Sequence, residues 1–219
     1  MFYNEEAIDM KVEKITKALQ NRLQQELPSW KSHRKMATQI HKNARIKPPS
    51  ITRKAGVLIL LFAHQNEIYL PLILRTTYNG VHSGQMAFPG GKVEPTDEDI
   101  IATALRETYE EIGVEVSREQ VIGILSDLYI PVSNITVTPV LAIIRDRPGY
   151  TLDITEVAGI TEVPIQALRD PDNHGFTQVS VINGVPLEAP VFHVNDRYTV
   201  WGATAMMLSE LLDIFEELD

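Results

Sequence analysis

The sequence predicts an α/β protein of the α+β kind, a mixed β-sheet sandwiched between α-helices. Three observations predict it. Apolar runs of strand length outnumber helical patterns along the chain. Strands and helices follow one another in mixed order, so helices must pack on the faces of a mixed sheet. The 219 residues, 44% hydrophobic and 22% charged, have the balance of an ordinary globular protein and suffice for one well-filled domain or one domain with an appended arm.

The elements follow in order. Residues 5–25 read as a helix, because Ile8, Val12, Ile15, Leu19 and Leu23 recur at helical spacing, and Pro28 ends it. Residues 29–52 are basic and irregular, with Pro48-Pro49 as a breaker. The run 55–62 suits a central strand, buried on both faces. A polar turn at 64–67 leads into a second strand at 68–75, so the pair reads as a hairpin. A loop of small and polar residues, 76–85, enters Phe88-Pro89-Gly90-Gly91, and residues 98–112 form a helix. Further strands are expected at 121–128, 137–144, 158–163 and 178–185, one helical turn at 165–168, and short strands at 191–193 and 198–200. A final helix spans 202–217, with Ala205, Leu208, Leu211, Leu212 and Phe215 on its apolar side.

Charge and composition narrow the function. The net charge of -9 opposes general affinity for nucleic acid, so no nucleic-acid partner is expected. Residues 1–55 carry twelve lysines and arginines against five acids, a basic arm on an acidic body. Residues 1–50 are therefore expected to form a helical basic arm packed on a main domain at 51–219. The apolar stripe of the arm fits packing on that domain, a homodimer contact, or recruitment of a partner or membrane. No apolar run approaches the roughly 20 residues that cross a bilayer, and Met1 to Glu6 lacks the character of a signal peptide. Absence of cysteine removes disulfides, thiolate metal sites and a cysteine nucleophile. A cytoplasmic protein without a membrane partner is the expectation.

The chemistry concentrates between Gly90 and Val114. On a helix, Glu107, Glu110 and Glu111 share one sector about 100° wide, while Ile101, Leu105 and Ile112 face the other way. Like charges at this spacing repel, and a bound cation offsets that repulsion. Oxygen-only ligands select hard ions, hence Mg²⁺ or Mn²⁺ rather than zinc. Gly113 supplies the helix stop. Gly90 and Gly91 permit a sharp turn that points backbone groups at a metal or a phosphate.

The string Arg106-Glu107-x2-Glu110-Glu111-x-Gly113-Val114 resembles the second half of the Nudix box, Gly-x5-Glu-x7-Arg-Glu-x2-Glu-Glu-x-Gly. In the first half, counting from Gly91, Asp97 stands at the glutamate position, and eight residues rather than seven precede Arg106. Upstream, Arg75-Thr76 and His82-Ser83-Gly84-Gln85-Met86-Ala87-Phe88-Pro89-Gly90-Gly91 look like the signature of the coenzyme A pyrophosphatase branch of that superfamily, which shares the Asp and the extra residue. Two positions depart: Thr76 replaces the usual serine, and Gly80 stands where the branch has an arginine.

The resemblance implies a Nudix fold and a Nudix hydrolase domain at 51–219, a pyrophosphohydrolase acting on phosphorus anhydrides. It implies Arg106, Glu107, Glu110 and Glu111 as catalytic residues, and Mg²⁺ or Mn²⁺ held by Glu107, Glu110, Glu111 and the backbone of Gly91. Arg75, His82, Ser83, Gly84, Gln85, Phe88, Gly90, Gly91 and Lys92 sit where a small-molecule nucleotide would lie. Arg106 either pairs with the glutamates or meets a phosphate, and Asp153 and Glu156 are loop candidates for taking a proton. Coenzyme A, cut to 4′-phosphopantetheine and adenosine 3′,5′-bisphosphate, is the first substrate choice. The Gly80 departure keeps ADP-ribose, NADH and dinucleoside polyphosphates as alternatives, and a nucleotide-binding module without turnover is the alternative of another class.

Overall fold

A computed structural model describes residues 5–38, 42, 46–76, 84–180 and 186–218. At its centre β1 (Arg53–His64) places Leu58 and Leu60 in one hydrophobic core, and Ile59 and Leu61 in a second core on the opposite face. A strand buried on both faces reads as a continuous apolar run, and this one does. It pairs in parallel with β7 (Ile135–Ile144), from Arg53 opposite Ile135 to Phe62 opposite Ile144.

The other edge of β1 is shared. Its C-terminal end forms the expected hairpin with β2 (Glu67–Arg75), through a turn in which Gln65 and Asn66 both take positive φ. Its N-terminal end pairs with β4 (Gly90–Lys92), where Val57 faces Gly90. Beyond the hairpin β2 diverges from β1 to pair with β3 (Met86–Ala87), while β8 (Val157–Pro164) runs along its opposite edge. Beyond β7 lie β5 (Val121–Ile124) and β6 (Leu128–Ile130), completing an eight-stranded mixed sheet.

Helices cover both faces. On the Leu58–Leu60 face lies α3 (Ile100–Ile112), packed through Ala104 and Ile112. The other face is covered by α1 (Glu5–Leu23) and α5 (Gly202–Glu216), with α4 (Ile165–Arg169) and a small antiparallel sheet of β9 (His174–Ser180), β10 (Pro186–His193) and β11 (Thr199–Val200) alongside. The Ile8, Val12, Ile15, Leu19 and Leu23 stripe of α1 joins this core. Among the described residues no helix is long and apolar enough to cross a membrane.

Several expected boundaries move. The segment 29–52 is not irregular throughout, because it contains α2 (Trp30–His33), docked on α5. Glu210 of α5, fully buried, accepts from the Ser29 amide at 2.7 Å and lies 3.1 Å from His33 Nε2. The same carboxylate accepts from Ser126 Oγ at 2.6 Å and the Ser126 amide at 3.0 Å. Leu125 still donates its amide to Pro139 O of β7 at 2.9 Å, and capture of Ser126 by Glu210 follows directly, where the expected strand 121–128 divides into two short strands. The expected strand 178–185 begins earlier, at His174, and residues 181–185 lie outside the described residues.

Candidate active site

Three features of local structure build the site. The first is α3, which starts where Asp99 caps it by accepting from the Ala102 amide and stops where Gly113 adopts φ 70°. The helix approaches β1 closely at Gly56, where a Cβ would lie 2.7 Å from the Ile100 carbonyl oxygen. A glycine inside an apolar strand signals such an approach, although the run 55–62 drew attention only as a strand. The second is the turn at Gly90 and Gly91. Gly90 has φ 152°, and a Cβ there would overlap the Gly56 carbonyl and sit 2.5 Å from Val57 Cα. At Gly91 a Cβ would overlap the Glu107 carboxylate. The third is the segment 151–156, tied to the end of α3 by Thr151 N–H to Ile112 O at 2.9 Å and Asp153 N–H to Glu111 O at 3.0 Å.

Glu111 lies at the junction, only 2% exposed. One carboxylate oxygen accepts from the Gly90 amide at 2.8 Å, the other from Arg75 Nη1 at 3.1 Å. Burial pushes its carboxyl up to about 7, against the pull of the Gly90 amide and Arg75. Glu107 lies against Gly91, and burial raises its carboxyl as well. Glu110 behaves differently. Its side chain is 56% exposed and accepts from Arg106 Nη1 at 2.9 Å. The expected trio is thus one buried glutamate, Glu111, one partly buried, Glu107, and one turned outward, Glu110. Among the described residues no three acidic or histidine side chains converge closely enough to enclose an ion.

Arg106 organises this face. It holds Asp97 through two bonds of 2.9 Å, Nε to Oδ1 and Nη2 to Oδ2, and reaches Glu107 at 3.0 Å. A bidentate guanidinium–carboxylate pair of this kind is a rigid fork. Hydrogen bonding from Arg106 holds the Asp97 carboxyl well below its ordinary range, and hydrogen bonding to Asp97 raises the guanidinium in turn. Of the two readings of Arg106, the geometry shows the pairing one. Asp97 was legible only as a departure from a spacing, and its partnership with Arg106 was missed.

The remaining expected residues divide. Arg75 is brought to Glu111, and the Gln85 carbonyl accepts from the Arg75 amide at 3.1 Å. Gly84 takes φ 65° and closes the base of the loop onto Thr76 O. Lys92 has an exposed side chain, while its carbonyl accepts from Arg106 Nη2 at 3.2 Å. Phe88 corrects the expectation of substrate contact: it is 2% exposed, buried in the core shared with α1 and α5. Its ring anchors the glycine turn, because an apolar side chain beside a strand gains more from the core than from a polar cleft. His82 and Ser83, like Gly80, lie outside the described residues. Glu156 sits with its carboxylate 4.0 Å from Arg75 Nη2, whereas Asp153 is turned onto Thr155.

The donor set suits a divalent cation. Glu107 and Glu111 offer carboxylate oxygens beside a glycine turn that any Cβ would obstruct, and burial makes both resist ionisation even with Arg106 and Arg75 beside them. All-oxygen donors favour Mg²⁺ or Mn²⁺. A separate cavity of about 390 Å³, lined by Lys35, His174, Phe176 and Asp213 among others, includes none of these carboxylates.

Comparison with known proteins bears on the family and the fold. A profile of the NUDIX domain matches residues 52–178. The chain is 35% identical over 173 residues to the mitochondrial coenzyme A diphosphatase NUDT8 of Homo sapiens, covering 78% of this chain and 71% of that protein. It is 38% identical over 130 residues to the Mus musculus protein of the same name, covering 58% of this chain and 61% of the mouse protein's length. It is 36% identical over 163 residues to an uncharacterized Nudix hydrolase, NudL, of Escherichia coli, covering 73% of this chain and 81% of that protein. Among solved structures, a MutT/nudix family protein from Enterococcus faecalis superposes with TM-score 0.55 at 17% identity, covering 81% of this chain and 67% of that chain, a likeness of fold.

Proposed function

The chain belongs to the NUDIX domain family, and from that premise we propose that it is a pyrophosphohydrolase that cuts a diphosphate bond in a nucleotide derivative, with coenzyme A as substrate. The observation that carries the reading is the placement of Glu111, buried between the Gly90 amide and Arg75, beside Glu107 over Gly91. Coenzyme A is supported by the segment from Arg75 to Gly91 and by the names of the human and mouse relatives. We also propose the division of the chain into an arm at 1–50 and a catalytic unit at 51–219, and action in the cytoplasm.

Glu107 and Glu111 are the residues that would hold Mg²⁺ or Mn²⁺, with Gly91 contributing its carbonyl. The bound cation would supply charge neutralisation for the diphosphate and polarise the attacking water. The chain's own residues do the rest. Asp97 fixes Arg106, and Arg106 restrains Glu107 and Glu110. The water oxygen bonds to a phosphorus of the bridge, the bridging P–O bond breaks, and a carboxylate takes the water proton.

Acidity provides one test. The carboxyl of Glu111 is raised in the folded protein above its value in the unfolded chain, so the fold favours the protonated form. That stabilisation is complete below the unfolded value and is lost as pH rises through about 7. A cation binds the ionised form and restores stability there. Added Mg²⁺ is therefore expected to raise the melting temperature more at pH 8 than at pH 6, measured by calorimetry. Equal increments at both values would separate Glu111 from the metal.

Substrate choice is tested with a panel of coenzyme A, ADP-ribose, NADH and a dinucleoside polyphosphate, with Mg²⁺ or Mn²⁺ in ¹⁸O water and products identified by mass. Coenzyme A is expected to give labelled 4′-phosphopantetheine or adenosine bisphosphate at the highest kcat/KM. A preference for ADP-ribose would overturn the substrate. Tight nucleotide binding without hydrolysis would favour the non-catalytic module.

A further inference from the structure

Among the described residues Arg75 is the cation paired with the buried carboxylate, and its position is built rather than incidental. The register of β2 against β8 shifts between Leu74 and Arg75. The extra residue, Ala158, lies on β8, so Arg75 faces Val157 rather than Ala158. The backbone on either side is fixed, by the Arg75 amide to Gln85 O at 3.1 Å and the Thr76 amide to Glu156 O at 2.9 Å. Thr76 Oγ1 also donates to the Thr155 carbonyl at 3.0 Å. So aimed, the guanidinium lies between two carboxylates of unequal burial. It bonds Glu111, whose side chain is 3% exposed, at 3.1 Å, and it stands 4.0 Å from Glu156, whose side chain is 54% exposed.

We infer that Arg75 is the resident counter-ion of Glu111, occupying the electrostatic place of the divalent cation at rest and passing to Glu156 when Glu111 takes the metal. The inference rests on the proposed hydrolase reading and deepens it. A buried carboxylate without a partner is costly, so a site that waits for its metal needs an internal cation. The same guanidinium must not stay where a divalent ion goes, since like charges in a partly buried site repel strongly. Glu156, on the solvent side and already close, receives it after rotation about the side-chain torsions of Arg75, with the backbone unmoved. Arg75 is thus a positioning residue that keeps Glu111 in place and then yields it.

The test measures Mn²⁺ alone, by calorimetry and by the electron-spin resonance of free Mn²⁺, on the full chain without substrate. Arg75→Ala is expected to tighten Mn²⁺ binding about tenfold, because the competing charge is gone. Arg75→Lys keeps the charge and is expected to bind Mn²⁺ within about threefold of the unmodified chain. Unchanged or weakened binding by Arg75→Ala would overturn the inference, the first indicating a substrate contact alone and the second a purely structural brace. A readout free of any effect on folding uses the unmodified chain: the Arg75 Nε–H resonance, assigned by its loss in Arg75→Lys, is expected to move on Mg²⁺ addition. A resonance that stays put overturns the exchange. Failure of the hydrolase reading looks different, since the unmodified chain would then neither bind Mn²⁺ nor cut any member of the substrate panel.

Discussion

Glu111→Gln is expected to leave the fold intact while lowering metal-dependent turnover by two to three orders of magnitude or more, on the order of what loss of one preorganised charge at a reacting centre costs. The fold is spared for a geometric reason. Glutamine has the same shape, and its carbonyl oxygen still accepts from the Gly90 amide that now bonds Glu111 at 2.8 Å. Removal of a carboxyl that burial already pushes up to about 7 also relieves the cost of ionising it at neutral pH. What is lost is the negative charge beside Glu107. The check is a pair of measurements on one sample: a melting curve, expected within a few degrees of the unmodified chain, and kcat on the best substrate. Near-normal turnover would remove α3 from the chemistry.

The elements that could be read in advance are those whose signals are local. The spacing of Arg106, Glu107, Glu110 and Glu111 with Gly113 is covalent arithmetic on one helix, and α3 was legible down to its last turn. The continuous apolar run that became β1 was legible for the same reason. What could not be read depends on partners distant in sequence. The four residues of α2 are too few for a periodic signal and are helical because Glu210, far along the chain, accepts from Ser29. A helical wheel places Glu107, Glu110 and Glu111 together, yet it cannot say that the Gly90 amide captures one while Arg106 draws another outward. Phe88 was grouped with the substrate residues because it lies inside a motif, and only the packing of α1 and α5 reveals that its side chain turns the other way.

The two adjacent glycines are expected to respond differently to the same substitution, and the contrast separates architecture from chemistry. Gly90→Ala inserts a Cβ between backbone atoms of β1, overlapping the Gly56 carbonyl and 2.5 Å from Val57 Cα, at φ 152° where side chains are rarely found. Neither obstacle can swing aside, because both belong to the central strand, whose partners include β7 and β4. Strain and overpacking together are expected to cost about 3–5 kcal/mol. In a chain of this length that lowers the melting temperature by about 8–15 °C. The atoms nearest to a Cβ in Gly91→Ala belong to the far end of the Glu107 side chain, which can rotate away. It is expected to melt within a few degrees of the unmodified chain and to lose activity, because the carboxylate that moves is one of the two beside the turn. Calorimetry and kcat on both variants decide the matter: comparable unfolding by Gly91→Ala would show that the second glycine also serves the backbone, and full activity in that variant would show that Glu107 need not lie where the turn now holds it.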